Sequence, residues 1–142
     1  MVTSGSHTQS GRHRARRNAM MVLYNCDLLQ RTLDSAIAVF EQEHGFALPE
    51  YARTVVEGVA DEQDDVDAAL IRHLDDWSLD RLGVVERSIL RIACWELLTE
   101  TVPTEVAIDE AVELSRRYAS PEAAKLVNGV LAAIDREQRS SQ

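Results

Sequence analysis

The residues best placed to do chemistry in this chain come early: Arg12, His13, Arg14, Arg16, Arg17 and Tyr24. On a helix, His13, Arg17 and Tyr24 share one stripe, Met20 and Met21 lie close to it, and Arg14 and Arg16 flank it. That mixture suits single-stranded nucleic acid. A guanidinium neutralises a phosphate and stacks on a base, and such binding weakens as salt rises. A tyrosine face can carry an unstacked base, worth ~1–3 kcal/mol. Sequence-specific RNA readers engage splayed bases, whereas duplex DNA calls for a groove-fitting motif, and none is apparent. A basic run also suits nuclear import, a lipid surface or simple solubility. Tyr24 taken alone reads equally well as a half-buried core residue.

Other candidate chemistry is weaker. Glu41-x-x-His44 matches half of a two-metal carboxylate site, because Glu and His three apart on a helix face one way. A second copy is missing and His73 has no helical partner, so no metal is expected. Asp109, Glu110 and Glu113 offer acid–base carboxylates, but they sit on a regular helical pattern without a nucleophile or Gly-rich loop. They read as a solvated face, so no catalytic residue and no cofactor are expected. Cys26 and Cys94 belong to no CxxC pair and fall in apolar helical runs, where cysteine packs as a small hydrophobe in a reducing cytosol. No apolar run reaches membrane-spanning length and the N-terminus has no signal-like apolar segment, which predicts a cytoplasmic protein.

The elements that must position these groups are helices. The 142 residues suit one domain, 45% are hydrophobic, and helix formers outnumber β-branched runs. Charge is unevenly spread. Of 15 basic and 24 acidic side chains, four basic and no acidic ones precede Asp27, which leaves 11 against 24 in the rest. A basic arm on an acidic body suggests a polyanion for the arm and a basic protein for the body, although an acidic surface kept for solubility is as good a reading of the body alone.

Periodicity predicts a first helix over about 12–30, a second after an Asp34 cap that Gly45 stops, and a third from Pro49 to about 75, kinked near Gly58. Ser78–Leu82 reads as a short capped turn. A fourth helix over 84–99 is apolar nearly all round and belongs at the centre of a bundle. Pro103 and Thr104 open a fifth helix. Ser120-Pro121-Glu122 opens a sixth, with cap, proline and acid in order. Within it, Gly129 predicts close helix packing and Asn128 a buried hydrogen bond. Residues 1–11 are expected to be a disordered tail, 12–135 the folded domain, and 136–142 a frayed end.

Three separated motifs carry a family resemblance. RHRARRNAMMVLY (Arg12–Tyr24), GVVERSILRIACWEL and VPTEVAIDEAVELSRRYASPEAAKLVNGVL (Val102–Leu131) resemble the NusB family of bacterial transcription antitermination factors. The resemblance covers about 12–135 and implies an all-α fold of six to seven helices in two small bundles. It implies binding to boxA RNA together with the ribosomal protein NusE, within an RNA polymerase elongation complex that carries other Nus factors and reads through terminators on ribosomal RNA operons. By the same resemblance Arg12, His13, Arg14, Arg16, Arg17, Tyr24, Arg87 and Lys125 fall on the RNA surface, and Glu86, Tyr118 and Glu122 on the partner surface. His13 interrupts what is usually an arginine run, which implies one pH-dependent contact. The alternative is a homodimeric protein-interaction module in which the arginine face is masked. RNA methyltransferases carry a similar domain, but this chain has no Gly-rich cofactor segment.

Overall fold

The computed structural model describes residues 4–141, with side chains from Gly11 onward. Seven α-helices and one 3-10 turn account for the described chain: α1 (Ser4–Leu29), α2 (Leu33–His44), α3 (Glu50–Asp61), α4 (Gln63–Arg72), the 3-10 turn (Leu79–Arg81), α5 (Val84–Thr99), α6 (Thr104–Tyr118) and α7 (Pro121–Ser140). No strand occurs among the described residues, and the fold is all-α. Among the described residues no helix is long and apolar enough to cross a membrane.

Local chemistry sets most helix ends. The Thr32 hydroxyl accepts from Ser35 N at 3.1 Å, so Thr32 caps α2 and Asp34 lies inside the first turn, not at the cap as expected. Gly45 ends α2 at φ 76°, where a side chain would be strained. Ser120 caps α7 by accepting from Ala123 N, and Pro121 takes the first helical position, as the sequence predicts. Helix α5 has the predicted bounds.

Helix α5 is the shared axis. It packs on α1, α3, α4, α6 and α7, while α1 also packs on α2 and α3, and α6 packs on α7. One continuous core joins the helices, from Ala19 and Val22 through Val55, Leu90 and Cys94 to Leu114, Val127 and Leu131. Burial pushes the Cys94 thiol up to about 12, the behaviour of a packing residue and not of a nucleophile.

Several expectations need correction. The third predicted helix breaks at Glu62, not near Gly58. Gly58 continues α3, and its missing side chain serves packing: a Cβ there would lie 2.3 Å from the Trp95 ring. Trp95 Nε1 donates to Glu62 Oε2 at 2.9 Å, which ties the break to α5. Gly129 is exposed with nothing within 4 Å of where its Cβ would stand, and Asn128 is exposed too. Neither makes the close packing or buried bond expected of it, because the buried stripe of α7 runs through Val127, Val130 and Leu131.

Helix α1 begins at Ser4, well before Arg12, because extending a formed helix adds a hydrogen bond per residue and no proline interrupts it. Residues 1–3 of the expected tail lie outside the described residues. The C-terminal stretch is helical to Ser140 where fraying was expected. Glu137 accounts for this: it accepts from Arg72 Nε and Nη2 at 3.1 and 3.0 Å and lies 3.0 Å from His73 Nε2, which fastens the last turns of α7 to the end of α4. Those contacts hold its carboxyl down at about 2.

Candidate nucleic-acid interface

Helix α1 presents the basic arm, and the bundle sorts its groups into anchored and free. Its buried stripe, Ala15, Ala19, Met20, Val22 and Leu23, fixes which residues turn inward. Arg16 is among them. Its side chain is 3% exposed, and Nε donates to Glu96 Oε2 at 2.9 Å in the middle of the bundle. The Tyr51 hydroxyl, from α3, donates to the same oxygen at 2.5 Å. Burial pushes the Glu96 carboxyl above its ordinary value, against the pull of Arg16 and Tyr51. Arg16 therefore joins α1, α3 and α5 and is not available to RNA, contrary to the expectation that it flanks an exposed stripe.

The neighbouring groups are graded by exposure. Arg12 is half-buried, with its guanidinium carbon 4.7 Å from the Tyr51 ring centre. His13 Nδ1 lies 2.6 Å from Glu110 Oε1 of α6, so the ring nitrogen donates there and leans on the body instead of standing clear. Arg14 is exposed and Arg17 half-exposed, and neither pairs with a carboxylate among the described residues. Tyr24 is half-buried on the same helix. Of the stripe predicted from spacing, Arg17 and Tyr24 are both partly exposed, with Arg14 fully exposed nearby.

Of the two predicted RNA residues on the body, Arg87 is also spent on structure. Its Nε donates to Asp27 Oδ2 at 2.7 Å, and Nη1 reaches the carbonyls of Leu79 and Leu82 at 3.1 and 3.0 Å. It holds the 3-10 turn and the end of α1 against α5, assisted by Arg91, which reaches Asp27 at 3.3 Å and also grips Asp67 of α4 through two bonds. A guanidinium so engaged has little left to offer a phosphate.

Lys125 is exposed on α7 and borders a groove with Trp77, Gly129 and Arg136. Trp77, 57% exposed, also borders a second groove of about 280 Å³ with Arg81, Glu86, Glu122 and Leu126. Two of the three predicted partner residues, Glu86 and Glu122, therefore meet around one exposed indole. Tyr118 is exposed at the end of α6 and does not line that groove. Sequence reasoning missed Trp77, Tyr51 and Glu96.

The other candidate sites dissolve into ordinary contacts. Glu41 accepts from Leu48 N at 2.9 Å and from Arg53 at 3.3 Å, while His44 stacks on Phe40. Glu110 holds His13, and Glu113 lies 3.6 Å from Arg116. Among the described residues no group of three or more His, Cys, Asp or Glu side chains is placed to hold a metal.

A helical bundle with a partly anchored arginine arm on an acidic body defines a class: a compact all-α protein with a basic first helix. The NusB family model matches residues 13–136. The chain belongs to the NusB family. It is 44% identical over 127 residues to the transcription antitermination protein NusB of an Exiguobacterium species, covering 89% of this chain and 98% of that one. The structure of T. maritima NusB superposes with a TM-score of 0.80 at 35% identity, covering 89% of this chain and 91% of that one. A structure of the antitermination factors NusB and NusE in complex with double-stranded RNA superposes with a TM-score of 0.80 at 32% identity, covering 90% of this chain and 98% of its counterpart.

Proposed function

We propose that this chain is a non-catalytic, cytoplasmic transcription antitermination factor that binds boxA-type RNA together with NusE. Membership of the NusB family supports the role, and a structural relative solved with NusE and RNA supports the two partners. The observation in this chain that carries the reading is the pair of guanidiniums, Arg14 and Arg17, left without a carboxylate on the arm of an acidic body. Tyr24 supplies a ring along the same helix, and Lys125 supplies a cation on the body.

The mechanism follows from charge. A few guanidiniums give modest, salt-sensitive affinity. A basic partner docked around Trp77, Glu86 and Glu122 extends the positive surface along the RNA. Each ligand then raises the other's affinity by the same factor. Joined in this way, the pair is held in an RNA polymerase elongation complex with other Nus factors on ribosomal RNA operons.

The test is a mobility shift with boxA-type RNA, with and without purified NusE. A shift is expected in both conditions and is stronger with NusE. Replacing Arg14 and Arg17 together by Ala should weaken binding and flatten its logarithmic salt slope by about 0.7 per lost contact, with the helical signal retained. No shift in either condition leaves the protein-only reading, a homodimer with a masked arm, which size exclusion with and without RNA distinguishes.

A further inference from the structure

The base of the arm meets the opening of α6. Arg12 and Arg16 line a groove of about 370 Å³ with Val102, Pro103, Val106 and Asp109. Two features say what kind of group it accepts. The first is that Arg12 is already ordered. Its guanidinium lies over the Tyr51 ring, and Tyr51 is itself fixed by its hydroxyl bond to the buried Glu96. Its own burial and the nearby carboxylate push the Tyr51 phenol well above its ordinary range, so it stays a donor. A planar cation held in place loses little freedom when something stacks on it.

The second feature is the character of the other walls. Val102, Pro103 and Val106 are apolar, and Asp109 and Glu110 add carboxylates to the lining. Glu110 is engaged by His13 at 2.6 Å and lies 3.9 Å from Arg16 Nη1, whereas Asp109 is exposed and forms no salt bridge among the described residues. With Arg16 and Glu110 already paired, Arg12 and Asp109 offset each other, so a phosphate placed here gains no net positive field. A neutral planar ring needs none, and an exocyclic amino group on that ring finds a carboxylate acceptor at the edge.

We propose that this groove is a stacking slot for one unpaired nucleobase of bound RNA, with Arg12 as the plate and Tyr51 as the positioning residue behind it. The slot rests on the RNA-binding reading above and adds a contact that charge alone does not supply. Arg12→Lys separates the two contributions: it keeps the positive charge and loses the flat stacking surface.

The experiment uses the full chain with NusE and single-stranded boxA-type RNA carrying the fluorescent base aminopurine at each position in turn. With the wild-type chain, one position is quenched on binding. Arg12→Lys abolishes that quench and weakens affinity by about 5-fold or more, the lower end of what losing one base stack costs, while the salt slope is unchanged because the charge count is the same. Tyr51→Leu weakens binding in the wild-type background and adds nothing in the Arg12→Lys background. RNA that binds with no position quenched, or a quench that survives Arg12→Lys, overturns the slot. A further loss from Tyr51→Leu on top of Arg12→Lys overturns the positioning role. RNA that fails to bind the wild-type chain at all removes the RNA-binding reading itself, a distinct outcome.

Discussion

Arg14 and Arg16 stand two residues apart on one helix and have opposite fates. Arg14 points to solvent with no carboxylate beside it, while Arg16 is buried against Glu96 and donates to it at 2.9 Å. Arg87 repeats the second pattern on α5, clamped by Asp27 and by the carbonyls of the 3-10 turn. The difference teaches that a basic run is not a uniform surface. The bundle recruits some of its arginines as struts and leaves others facing outward.

The largest expected effect is on the struts. Arg16→Ala leaves Glu96 buried without its cation and should destabilise the fold by about 3–5 kcal/mol, read from denaturant unfolding. The loss should depend on pH with a definite sign. Burial already raises the Glu96 pKa in the fold, and removing Arg16 raises it further. Protonated Glu96 is tolerated below its ordinary value near 4.5, and stability falls as pH climbs through the raised value. The defect should therefore shrink in mild acid and grow toward neutrality. A pH-independent defect would break the contrast between strut and surface.

Arg87→Ala comes next. It leaves carbonyls of the 3-10 turn unpaired while Arg91 still reaches Asp27 at 3.3 Å, and it should cost about 1.5–3 kcal/mol, the worth of hydrogen bonds to a charged group. Arg14→Ala should sit at the other extreme, within about 0.5 kcal/mol of wild type in stability, with its effect confined to RNA affinity. If Arg14→Ala destabilises the fold as much as Arg87→Ala does, the division of labour fails.

The smallest effect belongs to the exposed ion pair at the chain's end. Glu137 is held down at about 2 by Arg72 and His73. A folded pKa below the unfolded one gives stability that is present above the ordinary carboxylate value and is lost as pH falls through about 2. Carbon-detected NMR titration should place the Glu137 midpoint near that value, and Arg72→Ala should return it toward 4.5.

The struts left traces in the sequence that a reading by charge passes over. Arg16 stands three and four residues before Ala19 and Met20, which places it on the edge of the buried stripe of α1. Glu96 stands three and four residues after Ala93 and Ile92 in a helix apolar nearly all round. A carboxylate in such a setting needs a buried partner or a proton. Gly58 and Gly129 make the converse point. Both are mid-helix glycines, and only the neighbours tell them apart: Trp95 crowds the first and nothing crowds the second.

What the sequence determined by itself was set by interactions spanning a few residues. The bounds of α5, the Ser120-Pro121 start of α7 and the left-handed stop at Gly45 depend on caps, proline and glycine acting within one helical turn. The tertiary structure decided which charges face water. The partners of Arg16 and Arg87 lie 80 and 60 residues away, and only the packing of α1 and α3 on α5 brings them within reach. A guanidinium has the same local preferences whether it holds a carboxylate or a phosphate, so its task was fixed by what the fold put beside it.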